Sequence, residues 1–356
     1  MTLFVPGRLE VFGKHTDYAG GHALVAALPR GFTVRAASSA SGMVTITDLG
    51  SGERATFSRH GDGPGEGWRR YPQTVIRRLA ANFPEADLSA DIEFSSTLPQ
   101  AAGLSSSSAL IIAIAESLIA CAGIDQMHAW RAAIASPEDR ASYFGCIENG
   151  AAFGPLAGDA GVGTHGGSED HAASVMSRAG HLQLFAFSPL RSVQLVKLPS
   201  DWTFVVAWSG VHAQKTGAVR DAYNRLADPA RMTGARLEQF EAENGRVVAA
   251  ADAFARADID AIADLAAASQ RDAEELLGNQ VPETRDLVRL ALDHGAAAAS
   301  AFGAGWGGSV WALVRETEGE LFSARWIERY RKRHPHLASG VFASPPGDGC
   351  GSARRD

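Results

Sequence analysis

The feature that most constrains the fold is the run ALIIAIAESLIACAG at 109–123, which is apolar on almost every side of a helix. A helix of this kind must be buried on most of its surface, so other elements have to pack around it. Gly123 is expected to end it, because glycine readily adopts the left-handed conformation that closes a helix. The start of this helix is therefore held at a fixed place in a core.

The segment before this helix, LPQAAGLSSSSAL at 98–110, places one glycine and four consecutive serines where a strand gives way to the helix. The first N–H groups of a helix lack partners within it, and the positive end of the helix dipole lies there. The segment therefore predicts a phosphate site formed by Gly103, Leu104, Ser105, Ser106, Ser107 and Ser108. A serine cap behind a flexible turn is the alternative, which explains one serine well and four poorly. A Walker-type loop is disfavoured, because no lysine follows the serines.

At 356 residues the chain is long enough for two lobes that share a cleft. Alternation and helical spacing of apolar residues predict the secondary structure. The predicted strands are 32–38, 43–48, 54–58, 88–95, 182–187, 193–198, 203–209, 309–314 and 340–343. The predicted helices are 68–82, the run after Ser108, a helical region at 217–294 and 318–334. The Gly/Ala-rich stretch 150–167 is expected to be a loop at the border of the cleft.

Charge and cysteine content narrow the class of partner. The formal net charge is −7 and the pI is about 5.9, so the chain lacks the basic surface that nucleic acid or anionic lipid requires. We therefore expect a small-molecule partner, with no nucleic acid and no membrane. Three widely spaced cysteines indicate a reducing compartment, and the sequence has neither a signal-peptide pattern nor an apolar run long enough to span a bilayer. A cytoplasmic protein is expected.

Two further stretches are rich in glycine. PGRLEVFGKHTDYAGGHAL at 6–24 sets five ionisable residues among glycines, which is more charge than a core strand needs and indicates that something polar is held there. AFGAGWGGSVWAL at 301–313 has four glycines within six residues directly before a strand. By itself the second stretch is explained by a tightly turned entry into the strand.

Taken together, the three stretches resemble, in order and spacing, the three motifs of the GHMP small-molecule kinases. The first is similar to the galactokinase signature, whose pattern is close to G-R-x-N-x-I-G-E-H-T-D-Y-N-G-G. The resemblance extends to Trp68 and Tyr71 (W-x-x-Y), to GGSEDH at 166–171 where these kinases have GIMDQ, and to AYNR at 222–225. It implies an α+β fold with an N-terminal mixed-sheet lobe at 1–190, a C-terminal ferredoxin-like lobe at 191–356, and the active site in the cleft.

The resemblance also implies a role for individual residues. Asp170 matches the carboxylate that faces the hydroxyl to be phosphorylated, and Arg8 matches the arginine beside it. Ser107 and Glu148 match a pair that holds Mg²⁺, with a solvated helix carboxylate as the alternative for Glu148. The remaining matches are His15, Asp17 and Tyr223 for the sugar, and Gly305 and Gly307, with the serine segment, for the phosphates of ATP.

Two departures from the family pattern leave the sugar open. Lys14 stands where the pattern has glutamate, and Glu169-Asp170-His171 stands where it has M-D-Q. An ammonium at a sugar-contacting position predicts a substrate with an acceptor or negative group facing Lys14; alternatively, Lys14 turns away to pair with Glu10 or Glu169.

The expected activity is ATP-dependent transfer of a phosphoryl group to a sugar hydroxyl, most simply the anomeric one, by a monomer or homodimer. Kinases for a uronic acid, a heptose derivative or an amino sugar remain alternatives. A regulator that senses sugar and ATP without turnover is the alternative from another class.

Overall fold

The protein begins with a long antiparallel pair of strands, β1 (Thr2–Phe12) and β2 (His22–Ser38), joined by the charged glycine-rich stretch. The computed structural model describes residues 1–100, 102–212 and 217–351. The other strands are β3 (Met43–Asp48), β4 (Arg54–Ser58), β5 (Ala90–Ser96), β6 (His181–Ala186), β7 (Arg191–Lys197), β8 (Trp202–Trp208), β9 (Ala298–Phe302), β10 (Ser309–Arg315) and β11 (Gly340–Ala343). The helices are α1 (Arg70–Asn82), α2 (Ser106–Ala122), α3 (His128–Ala133), α4 (Pro137–Asn149), α5 (Glu169–Met176), α6 (Gly217–Ala227), α7 (Ala235–Ala255), α8 (Ile259–Glu275), α9 (Pro282–Asp293) and α10 (Gly319–Arg333).

The first sheet has seven strands in the order β4-β3-β5-β2-β6-β7, and β1 pairs with β2 beside this path. All its pairings are antiparallel except that of β3 with β5, so the sheet is mixed, as predicted. Helix α2 packs against β1 and β2 and against α1, α4 and α5, which explains why it is apolar on most sides. Gly123 closes it with φ of 67°.

The second sheet has four antiparallel strands in the order β11-β8-β10-β9. In chain order this is 4-1-3-2, with α6 to α9 between the first two strands and α10 between the last two. This is the βαββαβ ferredoxin-like arrangement that the family resemblance implied, and the two-lobed α+β fold is confirmed. The sheets change between Lys197 and Trp202, so β7 belongs to the first sheet although the predicted division at residue 190 assigned it to the second lobe.

Most of the sequence-based elements are confirmed to within a few residues, and β3, β4 and β11 have the predicted bounds. Strands β1 and β9 and the first ten residues of β2 are absent from the sequence-based prediction. The stretch 150–167 contains no helix or extended strand, as expected. Within the part of the chain that the structure describes, no helix has the length and apolar character needed to cross a bilayer.

Candidate active site

The three glycine-rich stretches meet at one cleft. Strand β1 contributes Arg8 and Glu10, and the turn after it contributes His15 and Asp17. The other contributions come from α2 (Ser108), α4 (Glu148), the start of α5 (Glu169, Asp170, His171), α6 (Tyr223) and the glycine-rich turn before β10 (Gly303, Ala304). The site therefore draws on both lobes.

Arg8 lies at the centre of the site and is buried. Its Nε is 2.7 Å from Asp170 Oδ1 and 3.1 Å from Glu169 Oε1, and one terminal nitrogen is 3.6 Å from Glu10 Oε2. Another terminal nitrogen donates to the carbonyl of Gly103, 3.2 Å away. Burial on its own would lower the pKa of Arg8, but the carboxylates around it raise that pKa above its usual value. The guanidinium thus stays charged and joins the predicted catalytic carboxylate to the serine segment.

Two of the carboxylates beside Arg8 are held in unfavourable surroundings. Burial is the main reason that the pKa of Glu10 is raised to about 7. Burial, followed by the nearby charge of Glu10, also raises the pKa of Glu169 well above its usual value. One guanidinium does not compensate all of the acidic groups that face it.

Three side chains with oxygen atoms lie close together, those of Ser108, Glu148 and Asp170. Ser108 Oγ donates to Glu148 Oε2 at 2.7 Å and lies 3.3 Å from Asp170 Oδ2. Nε2 of His171 is 3.1 Å from the same oxygen of Glu148. The serine that contacts Glu148 is Ser108 and not Ser107, because successive residues of a helix point about 100° apart and it is Ser108 that faces α4. A metal-binding role for Ser107 stays a prediction.

The predicted sugar-contacting residues His15, Asp17 and Tyr223 lie side by side. The ring centroids of His15 and Tyr223 are 5.7 Å apart, and His15 Nδ1 is 2.7 Å from the hydroxyl of Tyr18. Asp17 Oδ2 accepts from the backbone N–H of Glu169 at 3.3 Å, at the first turn of α5. The structure therefore places a carboxylate, an imidazole and a phenol on one wall of the cleft.

Helix α7 of the second lobe holds the backbone of this turn. Glu243 Oε1 accepts from the backbone N–H of Gly13 at 3.0 Å, and Gln239 donates to the carbonyl of Lys14 at 3.1 Å. Arg236 donates to the carbonyl of His15 at 2.5 Å. His15 has φ of 61°, an uncommon value for a residue with a side chain, and these contacts hold it there.

Lys14 does not line the cleft. Its side chain is 2% exposed, and Nζ donates to Ser269 on α8 at 2.6 Å and to Ser300 on β9 at 2.9 Å. The prediction that Lys14 contacts the sugar is wrong in this structure, because the ammonium points into the second lobe. The alternative pairing with Glu10 or Glu169 is not observed either; the partners are two serine hydroxyls. The sequence identifies the charge of Lys14 but not the direction in which its side chain points.

The serine segment and the glycine-rich turn lie against each other. A Cβ added to Gly303 would be 3.2 Å from the carbonyl oxygen of Gly103. Ser105 precedes α2 in a left-handed conformation with φ of 59°, and its hydroxyl is buried with no partner among the described residues. Gly305 and Gly307 both have positive φ, 87° and 123°. Unsatisfied donors at a helix start are what an anionic ligand such as a phosphate needs.

The donors present fit a nucleotide with Mg²⁺. Ser108 and Glu148 offer hard oxygen ligands, and Mg²⁺ commonly takes one or two protein ligands while phosphates and water supply the rest. Among the described residues there is no group of three or more His, Cys, Asp or Glu side chains arranged for a metal ion. This donor set therefore suits a metal that arrives with ATP better than a metal held by the protein alone.

Three residues that line the cleft, Glu10, Glu169 and His171, were given no role from the sequence. All three differ from the quoted family patterns, which have asparagine, methionine and glutamine at these positions. That difference was a signal that could have found them. Ser108 was included only as part of the phosphate segment, and four identical serines in a row give no signal to separate it from Ser107.

Comparison with known proteins agrees with this geometry. Residues 1–38 match the model described as the galactokinase galactose-binding signature. Residues 70–145 match the GHMP kinases N-terminal domain, and residues 250–332 match the GHMP kinases C-terminal model. The matched segments include Arg8, the turn that carries His15 and Asp17, the serine segment, and the helix and strand of the second lobe that hold Lys14.

Relatives and solved structures match over nearly the whole chain. A galactokinase of Thermococcus kodakarensis is 25% identical over 98% of this chain and 99% of its own length. A galactokinase of Glaesserella parasuis is 24% identical over 93% of this chain and 90% of its own length. The structure of Lactococcus lactis galactokinase complexed with galactose superposes with a TM-score of 0.83 at 19% identity, covering 99% of this chain and 95% of that one.

A mevalonate kinase superposes less closely, with a TM-score of 0.67 at 13% identity over 98% of this chain and 99% of its own. This likeness concerns the fold alone, whereas the match of residues 1–38 is to a galactokinase signature. The chain belongs to the GHMP kinases, among their galactokinase-like members.

Proposed function

We propose that this protein is an ATP-dependent sugar kinase of galactokinase type, which transfers the γ-phosphoryl group of ATP to the anomeric hydroxyl of a monosaccharide and yields a sugar 1-phosphate. The observation that carries the proposal is the contact of 2.7 Å between Arg8 Nε and Asp170 Oδ1. It lies in a cleft formed by the serine segment and by the turn that carries His15 and Asp17, which we call the sugar turn. A charged pair of this kind, one-fifth exposed at the aspartate, suits proton transfer from a weak nucleophile.

Asp170 is the general base in this proposal. A sugar hydroxyl attacks phosphorus poorly while it keeps its proton, and a carboxylate within hydrogen-bond reach accepts that proton as the O–P bond forms. Asp170 lies in the first turn of α5, where the positive end of the helix favours the ionised carboxylate. The proton passes from the sugar oxygen to an Oδ atom, and ADP leaves with the electrons of the broken P–O bond.

Arg8 orients Asp170 and offsets the charge that develops on the transferred group. Because one of its terminal nitrogens donates to the carbonyl of Gly103, the guanidinium lies between the base and the segment that we assign to the phosphates. Charge stabilisation of this kind is the main device in phosphoryl transfer.

The serine segment and the glycine-rich turn bind the nucleotide phosphates in this proposal. The buried hydroxyl of Ser105 and the free N–H groups at the start of α2 supply donors. Ser108 and Glu148 hold Mg²⁺, whose chemistry when bound is to neutralise phosphate charge during transfer. His15, Asp17 and Tyr223 hold the sugar, since a carboxylate can accept hydrogen bonds from two adjacent hydroxyls.

The test measures ADP release from ATP and Mg²⁺ with a panel of neutral, acidic and amino sugars. We expect turnover with at least one hexose, and Asp170→Asn should lower it by about 10²–10⁴-fold, since the amide cannot take the proton. Asp264→Asn, an exposed aspartate on α8, serves as the matched control and should be unchanged. Binding of sugar and nucleotide without ADP release by the parent would instead indicate a sensing regulator.

We further propose that the partners are confined to small molecules and that the protein works in the cytoplasm as a monomer or homodimer. All three cysteines, Cys121, Cys146 and Cys350, are free, which agrees with a reducing compartment. Size-exclusion chromatography with light scattering distinguishes the two oligomeric states.

A further inference from the structure

The cleft contains two buried carboxylates that the phosphoryl-transfer chemistry above does not use. Glu10 is 3% exposed and Glu169 is 4% exposed, and both line the cleft beside Arg8 and His15. The family patterns quoted above have asparagine and methionine at these two positions, which carry no charge. This chain has therefore two additional acidic groups in the cleft where its relatives' pattern has none.

The hydrogen-bonding capacity of Glu10 is incompletely used. Its Oε2 accepts from the backbone N–H of Gly303 at 3.3 Å and is 3.6 Å from a terminal nitrogen of Arg8. Its Oε1 is buried and has no hydrogen-bond partner in the part of the chain that the structure describes. A buried acceptor without a donor is costly, and such atoms in a cleft often mark the place of a ligand group.

The fixed positive charge in the cleft is too small to balance these carboxylates. Among the described residues that line it, the acidic side chains are Glu10, Asp17, Glu148, Glu169 and Asp170, and the one guanidinium is that of Arg8. Arg8 is shared by Asp170, Glu169 and Glu10. The charge of Lys14 also acts to lower the pKa of Glu10, but this residue does not line the cleft, and its Nζ donates to Ser269 and Ser300.

The imbalance is expressed in the raised pKa values of Glu10 and Glu169, for which burial is the leading cause. ATP brings further negative charge to the cleft, and Mg²⁺ at Ser108 and Glu148 would be engaged with the phosphates. A cation that arrives with the other substrate would supply the missing positive charge and favour the ionised form of both carboxyl groups. A uronic acid would add one more carboxylate to this set, which like-charge repulsion disfavours.

We propose that the sugar accepted by this cleft carries a protonated amino group, and that Glu10 and Glu169 are the acceptors that select it. An ammonium has three N–H donors, which suits the unpartnered Oε1 of Glu10 together with the carboxylate of Glu169. A neutral hexose offers hydroxyls that make weaker hydrogen bonds to the same oxygens. This inference rests on the sugar-kinase function proposed above and names its class of substrate.

The test compares galactosamine, galactose, N-acetylgalactosamine and galacturonate with the full chain at pH 6.5. Calorimetry gives the dissociation constant of each sugar, and ADP release gives kcat/KM. We expect galactosamine to be preferred over galactose by about tenfold or more, N-acetylgalactosamine to lose that preference, and galacturonate to be the poorest of the four. A charge-assisted contact is the physical reason for the tenfold figure.

Glu10→Gln and Glu169→Gln remove each charge while keeping the shape of the side chain. Each substitution should reduce the ratio of kcat/KM for galactosamine to kcat/KM for galactose several-fold, and the double variant should bring this ratio close to one. Glu93→Gln, an exposed glutamate on β5, is the matched control and should keep the parental ratio. If the double variant fails to fold, as judged by circular dichroism, the two single variants decide the matter by the same ratio.

A parent protein that prefers galactose or galacturonate overturns the inference, as does a preference for galactosamine that survives both substitutions. Binding of Mg²⁺ without nucleotide that both substitutions abolish would assign the two carboxylates to a metal ion instead, and would also overturn it. Failure of the kinase proposal looks different: no sugar in the panel would give ADP, while calorimetry would still report which sugar binds.

Discussion

Replacing Lys14 by glutamate restores the residue of the family pattern, yet the structure predicts that it damages the protein instead of improving its use of galactose. The Lys14 ammonium is buried between Ser269 and Ser300, and Glu243 accepts from the hydroxyl of Ser269 at 2.9 Å. A carboxylate placed there faces another carboxylate and has no cation of its own.

The size of the effect follows from this geometry. An uncompensated buried charge costs about 3–5 kcal/mol. With an unfolding entropy of about 2.1 cal/mol/K per residue, a chain of 356 residues loses roughly 5 °C in Tm for such a change. Lys14→Met, which removes the charge and keeps much of the shape, should cost less, about 1–3 kcal/mol for the lost hydrogen bonds.

Thermal unfolding by circular dichroism and the kcat/KM for galactose are measured on both variants and on Lys197→Glu. Lys197 is exposed on β7, so the same charge reversal there should leave Tm and activity within error of the parent. The reasoning is refuted if Lys14→Glu melts within 1 °C of the parent, because the side chain is then not buried between Ser269 and Ser300. It is also refuted if the variant raises kcat/KM for galactose, because the side chain then faces the sugar.

The remaining predictions concern the proposed Mg²⁺ site, the pH dependence of stability, and the residues proposed to bind the sugar. Ser108→Ala should raise the Mg²⁺ concentration needed for half-maximal turnover more than Ser107→Ala does; equal effects contradict the pairing of Ser108 with Glu148. Glu10 binds its proton more tightly in the folded state, with a pKa of about 7 against a usual 4.5, so its contribution to stability falls as pH rises through this window. The free energy of unfolding of Glu10→Gln, measured by urea titration, should therefore rise by up to about 3 kcal/mol relative to that of the parent between pH 5 and pH 8. A difference between the two proteins that does not change with pH argues against the raised pKa of Glu10. Gly167→Ala should raise KM for the sugar tenfold or more, because its Cβ would lie 2.4 Å from Asp17 Oδ2; an unchanged KM shows that Asp17 does not bind sugar.

The fold was largely predictable because its parts follow simple patterns. The run at 109–123 became the buried helix α2, and the spacing of apolar residues located most strands of both sheets. Strand β1 was missed because Arg8 and Glu10 occupy buried positions where a strand normally has apolar side chains. Strand β9 was missed because its sequence, AASAF, is rich in alanine, which has little preference for strands.

The site was predictable to the level of segments and less so to the level of atoms. The resemblance led to Arg8, Asp170 and the sugar turn, and the structure brings them into one cleft. It could not show which serine faces Glu148, because that depends on the angular position of each residue around α2. It could not show that Lys14 turns away, because Ser269 and Ser300 are more than 250 residues distant along the chain.

The hydrogen bond from the Gly13 amide to Glu243 makes hydrogen exchange at this amide a measure of how often the two lobes separate locally. An amide proton held in a β-ladder exchanges with deuterium when that ladder opens, whereas this one is covered by a side chain from the other lobe. Its exchange rate therefore measures how often the turn separates from α7, without any attached label. A sugar that contacts His15 and Asp17 would bind the same turn. The decrease in the exchange rate of the Gly13 amide on addition of sugar would then measure how strongly sugar binding is coupled to closure of the lobes.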